Sequence, residues 1–362
     1  MPRINEERLK KYRKLAEKGT WEAGSPEVQA FVERAISEGY AIDEYGFTPY
    51  PGFFGAPHTK DLDGVDIVCV GVPMDIGVPN WSGTREGPEA IRKWSHNCGP
   101  VHHVTKTIPF EICNIADYGD VEFSGLSIET RVENIYNNFL KFKAAGVSTL
   151  AVGGEHTMTY PILKALGKDE PLGVIHLDAH ADTAGDIMGE KYNDASVFRR
   201  ATTDGVIDPE RVIQIGIRGR VSIWWDFSYE TGMRVITQEE FEDLGVEKVI
   251  TEARDIIGDG PCYLSIDADS IDPVYMPGVA LPEPFGITAR ELRSFIRGLR
   301  GLDIIGADLA EINPARDPQF ISVNVGAALC FEMLCLLAES RVTRSGVMNK
   351  THWNQEPAKE TS

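Results

Sequence analysis

The sequence predicts an α/β fold: three layers, αβα, around a mainly parallel sheet. Three observations carry that prediction. From residue 65 onward, short and nearly continuous apolar runs alternate with stretches of helical pattern. That is how strands read when crossover helices bury them on both faces. Helix starts are marked at Thr237-Gln238-Glu239-Glu240 and Thr288-Ala289-Arg290-Glu291, both with capping-box spacing. Ionisable blocks stand where three of the apolar runs end, and in open parallel sheets function collects beyond the carboxyl ends of the strands.

Taken in order, residues 1–60 read as an N-terminal arm that packs on its own domain or on a neighbouring subunit. It holds a charged helical stretch near 6–18, a second helical pattern over 26–38 and a turn-rich segment over 45–57 carrying Tyr45, Phe47, Tyr50, Phe53 and Phe54. Residues 61–345 form one catalytic domain without internal repeat, linker or composition break. Its strands are expected at 65–72, 149–153, 172–177, 211–217, 233–236, 262–266 and 303–309. The longest apolar stretch, 325–338, is too short to span a bilayer and contains Glu332, so it is read as a buried helix. Residues 346–362 read as a flexible tail.

Composition bounds the function. Hydrophobic residues at 42% and charged residues at 25% are ordinary for a globular protein. The net charge of −19 disfavours nucleic acid and anionic membranes as partners and attracts small cations. The six cysteines form no CxxC pair and read as reduced core thiols. With a charged N-terminus lacking an apolar core, they point to a cytoplasmic protein.

The chemistry sits in three blocks. Gly153-Gly154-Glu155-His156 closes one predicted strand, Asp178-Ala179-His180-Ala181-Asp182 follows a second, and Asp267-Ala268-Asp269 follows a third. Alternate residues of extended chain share a face. Asp178, His180 and Asp182 can therefore point one way, as can Asp267 and Asp269. A single Asp at a strand end is most often a turn former, and a lone His such as His156 is most often simply hydrogen-bonded in a core. Three ionisable groups on one face after an apolar strand are different, because they are costly to hold there unless a cation neutralises them. Together the six side chains suffice for two divalent ions sharing carboxylates, an arrangement suited to hydrolysis. Carboxylates with two imidazoles and no thiolate favour Mn2+, with Ni2+, Co2+ or Fe2+ behind. Gly83-Thr84-Arg85-Glu86-Gly87 lacks the spacing of a phosphate-binding loop, so phosphate esters are disfavoured.

These blocks resemble the three signatures of the ureohydrolase superfamily, which includes arginase, agmatinase and guanidinobutyrase. The resemblance runs from about residue 65 to 337. Gly71-Val72-Pro73-Met74-Asp75, Gly216-Ile217-Arg218-Gly219, Leu281-Pro282-Glu283-Pro284 and Ala310-Glu311-Ile312-Asn313-Pro314 are similar to secondary motifs of its agmatinase branch. The resemblance implies an arginase-like fold and two Mn2+ or Ni2+ ions per chain. It implies that His156, Asp178, Asp182 and Asp267 hold one ion, that Asp178, His180, Asp267 and Asp269 hold the other, and that hydroxide between them attacks a guanidinium carbon. Glu311 falls at the family's guanidinium-binding glutamate. Asp194 stands where the family's proton-shuttling histidine is expected, within Tyr192-Asn193-Asp194-Ala195-Ser196. That departure points to a cationic substrate such as guanidine, a substituted guanidine or a biguanide like metformin. Agmatinase or guanidinobutyrase activity releasing urea is the alternative. The resemblance also implies a trimer or hexamer. A paralogous subunit could share it, and a chain acting only as a non-catalytic partner would be expected to lose ligands, whereas all six are present.

Overall fold

The structure, a computed structural model, describes residues 5–19, 22, 25–37, 52–78, 81–219 and 222–346. Of the expected tail only Gly346 is described, and the aromatics Tyr45, Phe47 and Tyr50 lie outside the described residues. The chain divides into two compact units, Met1–Thr48 and Pro49–Ser362. The first holds helices Glu6–Ala16 and Pro26–Ser37, and Asn5 caps the former by accepting the Arg8 N–H. Phe53 belongs to the second unit, where it is fully buried.

The described residues of the second unit form one sheet of eight strands, every pair parallel. In chain order these are β1 Ile67–Val72, β2 Ile115–Asp120, β3 Ser148–Gly153, β4 Leu172–Leu177, β5 Ile207–Ile217, β6 Arg234–Thr237, β7 Cys262–Asp267 and β8 Ile304–Ala310. Their spatial order is β2-β1-β3-β8-β7-β4-β5-β6. Side-chain alternation feeds two separate cores. Leu150 and Val152, Ile175 and Leu177, and Leu264 and Ile266 face a core closed by helices Gly87–Ser95, Val246–Ile257, Ala289–Gly298 and Ile321–Ser345. Ala151, Val174 and Tyr263 face the opposite core, closed by helices Ile128–Ala145, Thr159–Leu166 and Val197–Thr203. This is the three-layer αβα architecture of the sequence reading.

Seven of these strands fall where the apolar runs predict them; β2 does not appear in the prediction. Its sequence Ile-Ala-Asp-Tyr-Gly-Asp is broken by Asp117 and reads as a turn. The buried Asp117 is accommodated because it accepts from Arg92 and from the Phe53 N–H. β5 begins earlier than predicted, at Ile207, and its Asp208-Pro209-Glu210 stretch coincides with a register shift against β4.

Thr288 and Glu291 form a full capping box, and the Thr237 hydroxyl accepts the Glu240 N–H. The helix expected over 325–338 is longer, Ile321–Ser345, so its length alone would cross a bilayer. Most of it is buried inside the protein. Glu332 is paired there with Arg297 and His102.

Candidate active site

Four adjacent strands, β3, β8, β7 and β4, bring the ionisable blocks to one edge of the sheet. Register sets them level: Leu177 pairs with Ile266, Ile266 with Leu309, and Leu309 with Val152. The residues that follow emerge side by side, Asp178 after β4 and Asp267 closing β7 opposite Ala310, with Glu311 one residue beyond in the exit from β8. His156 follows β3 in a 3-10 turn, where the chain packs against the loop after β1. A Cβ at Gly154 would lie 1.9 Å from the Met74 carbonyl oxygen, so only glycine fits that approach. Asp182 and Glu311 both hold positive φ, 51° and 65°, a strained conformation for a residue with a Cβ.

All six candidate ligands converge. His156 Nδ1 lies 2.9 Å from Asp182 Oδ2, 3.2 Å from Asp178 Oδ2 and 3.4 Å from Asp267 Oδ2. His180 Nδ1 lies 3.0 Å from Asp269 Oδ2 and 3.5 Å from Asp178 Oδ1. Asp178 thus belongs to both groups. Backbone N–H groups pin one oxygen of three carboxylates: His180 N–H donates to Asp178 at 2.6 Å, Asp269 N–H to Asp267 at 2.8 Å and Ala179 N–H to Asp269 at 3.1 Å.

Charge is strongly displaced within this cluster. Burial pushes the carboxyls of Asp267 and Asp269 up, and that of Asp182 to about 7, with neighbouring Asp178 adding to each. Burial also acts upward on Asp178, but His176, His156 and His180 outweigh it and hold that carboxyl down. Burial acts downward on His156 and His180, yet the surrounding carboxylates raise both. Four buried carboxylates around two imidazoles call for added positive charge. The buried His156 Nδ1 has no hydrogen-bond partner. Ligand atoms 2.9–3.5 Å apart fit cations with bonds of about 2.0–2.2 Å. The donor set therefore fits two divalent ions.

Beside the cluster opens a cavity of about 240 Å³, lined by candidate ligands and by Glu311, Asp194, Glu283, Trp224 and Trp225. One Glu311 oxygen accepts the His156 N–H at 2.7 Å, and the other, Oε2, is buried without a partner. Asp194 accepts the Ala195 N–H at 2.9 Å, and burial raises its carboxyl to about 6.

The arginase-family sequence model matches residues 65–335. The chain belongs to the arginase family. It is 41% identical to guanidinopropionase of Pseudomonas aeruginosa over 297 residues, which is 81% of this chain and 93% of that protein. It is 40% identical to guanidinobutyrase of the same organism, over 78% of this chain and 90% of the relative. The fold matches proclavaminate amidino hydrolase from Streptomyces clavuligerus with a TM-score of 0.77 at 30% identity, covering 81% of this chain and all of the other. Arginase-family members of this kind are hydrolases of C–N bonds in guanidino compounds, and this chain is such a ureohydrolase.

Within this arginase-family site several residues have contacts to which the sequence reading assigned no role. Glu155 is fully buried and accepts the Gly77 N–H on both oxygens at 2.8 Å. Burial, with Asp194 nearby, raises its carboxyl to about 8. Behind His156, its Nε2 lies 2.9 Å from Ser265 Oγ, which donates to Asp308 at 2.8 Å. Asp308 also accepts from Tyr263 and Thr159. An acceptor-only carboxylate at the end of this chain makes Nε2 the protonated nitrogen and leaves Nδ1 a lone pair.

The Arg218 guanidinium donates to the carbonyls of Asp269, Ser270, Glu283 and Pro284, tying one ligand turn to the cavity wall. A Cβ at Gly219 would come within 2.4 Å of the His180 ring. These contacts explain Gly216-Ile217-Arg218-Gly219. Trp224 and Trp225 carried the one overlooked signal, a tryptophan doublet between strands.

Proposed function

We propose that the protein hydrolyses the guanidino group of a small guanidino compound, releasing urea and an amine. The names of its relatives, guanidinopropionase, guanidinobutyrase and agmatinase, support an ω-guanidino substrate. The observation that carries the proposal is the unpartnered buried oxygen of Glu311, set beside a cluster built for two cations. His156, Asp178, Asp182 and Asp267 would hold one ion, and Asp178, His180, Asp267 and Asp269 the other, with Mn2+ or Ni2+ as the candidate metals. Two divalent cations at this position supply Lewis acidity and acidify water at neutral pH. Glu311 Oε2 accepts from the guanidinium NH2 groups and holds the central carbon toward the ligand cluster. Water adds to that carbon, the C–N bond to the amine breaks with its electron pair staying on nitrogen, and the amine leaves protonated beside neutral urea. Protons balance without an external donor, because substrate and amine product each carry one positive charge.

A second reading is favoured by Asp194. The described residues lining the cavity include no Lys or Arg, so a substrate carboxylate finds no cationic partner among them, whereas Asp194 and Glu283 suit a compact or doubly cationic guanidine or biguanide. The purified protein, loaded with each metal in turn, should be assayed against guanidinopropionate, guanidinobutyrate, agmatine, guanidine and a biguanide. Urea release from guanidinopropionate, guanidinobutyrate or agmatine, dependent on added metal, supports the main proposal. Turnover confined to guanidine and the biguanide selects the second reading. No hydrolysis of any compound in the panel with two ions bound overturns both.

A further inference from the structure

His176 stands two residues before Asp178, is fully buried, and lies close enough to His156, Asp178 and Asp182 to count as another possible ligand. Its surroundings decide otherwise. Gln214 Nε2 lies 2.6 Å from the Ala181 carbonyl oxygen and 3.0 Å from His176 Nδ1. A backbone carbonyl can only accept, so the Gln214 atom between these two must be the NH2. His176 Nδ1 facing that donor must then be the unprotonated nitrogen, and the neutral ring carries its hydrogen on Nε2. Nε2 lies 2.8 Å from Asp178 Oδ2, so it donates there and offers no lone pair to a cation. The ring packs against Phe198 at a 40° tilt, with centroids 4.1 Å apart, and Gln214 is as buried as His176.

We propose that Gln214 and His176 are positioning residues: Gln214 fixes the His176 tautomer, and His176 orients the carboxylate of Asp178, the ligand common to both halves of the centre. The inference rests on the dinuclear reading above. A hydrogen bond from Nε2 takes one lone pair of Asp178 Oδ2, and the His180 N–H takes one of Oδ1. Each oxygen keeps one lone pair that would be available to a cation. Partners of this kind orient a ligand without touching the metal, and their loss costs about 10–100-fold in metal affinity.

The test is chelator competition on the full-length protein, giving dissociation constants for Mn2+ and Ni2+, beside the melting temperature of the metal-stripped protein. Gln214→Leu keeps the side-chain volume and removes the donor. His176→Leu removes the Asp178 partner, and His176→Gln returns an NH2 that reaches toward the same carboxylate. Both leucine variants should bind metal about 10–100-fold more weakly, while His176→Gln stays within a few-fold of wild type. Should His176→Leu fail to fold, Gln214→Leu and His176→Gln still decide the matter.

Wild-type affinity in Gln214→Leu, or a lowered melting temperature of the stripped protein with affinity unchanged, would show a packing role and overturn the inference. A His176→Gln variant that folds like wild type yet binds metal as weakly as the leucine variants would do the same. If the wild type itself takes up fewer than two ions, the dinuclear reading falls, and this inference falls with it.

Discussion

The two ends of the cavity are built differently. At the inner end the candidate ligands stand at or follow strand termini, backbone N–H groups pin Asp178, Asp267 and Asp269, and all but His180 are nearly sealed from solvent. At the mouth the lining comes from turns and short helices, including Ile187, Trp224, Leu281 and Glu283, and Trp224 is 37% exposed. Sheet register places the strand ends that carry the first set, and loop geometry places the second. The inner end carries the residues that match the family's motifs, while the mouth is where a difference in guanidino substrate would be expected to lie. Glu311 and Asp194 stand on the border between them.

The comparison is most exposed to a change in the shared ligands. Asp267→Ala should abolish turnover and weaken both cation sites, a loss larger than the 10–100-fold expected from an outer partner. Elemental analysis should find fewer than two ions per chain. Near-normal activity in this variant would mean that the inner end does not carry the chemistry. Glu311→Gln comes next. It should keep both ions but lose about 2–5 kcal/mol in kcat/KM, the cost of removing one partner from a buried charge pair. A fall in metal content instead would move Glu311 from the substrate side to the ligand side.

The same contrast explains what could be read without a structure. Apolar runs announce central strands because such strands are buried on both faces, which is why β3, β4, β7 and β8 were legible and the edge strand β2, with Asp117 in its middle, was not. The six ligands were legible as ionisable blocks at the ends of apolar strands, but the expected alternation along extended chain is not what gathers them: Asp182 holds a positive φ, and His156 and Asp269 lie in 3-10 turns. Glu311 and Asp194 could be singled out only through their neighbours in known motifs, since a lone carboxylate after a strand has many uses. Trp224, Glu283 and the Gln214–His176 contact depend on which loops and strands meet in space. A glutamine in the middle of an apolar strand carries no such signal by itself.

Asp194 gives an intermediate effect. Burial lifts its carboxyl to about 6, so it is largely neutral below that pH and anionic above it. If it faces a cationic group of the substrate, attraction appears as pH rises through about 6, and kcat/KM should show an ascending limb there. Asp194→Asn should erase the limb. Asp194→His, which replaces an anion with a group titrating near 6.5, should lower turnover of the native substrate by about an order of magnitude. Unchanged pH profiles in both variants would remove Asp194 from the substrate's surroundings.

Trp224 marks the smallest effect and the sharpest separation between the two ends. Its carbonyl oxygen accepts the Thr183 hydroxyl at 2.8 Å, so the backbone of this wall is tied to the residue after Asp182 while the indole remains free to serve the mouth. Removing the ring should leave the ligand turn in place, because the tether is a main-chain atom. Trp224→Ala should therefore keep full metal content and raise KM for a cationic substrate about two- to fivefold, the ~0.5–1 kcal/mol of a partly exposed cation–π contact. Trp224→Phe, which keeps an aromatic face, should recover part of that loss. Titrating substrate under both variants at saturating metal separates the outcomes. A drop in metal occupancy, or a hundredfold fall in kcat with KM unchanged, would show that the mouth and the inner end are one mechanical unit and would end the division drawn between them.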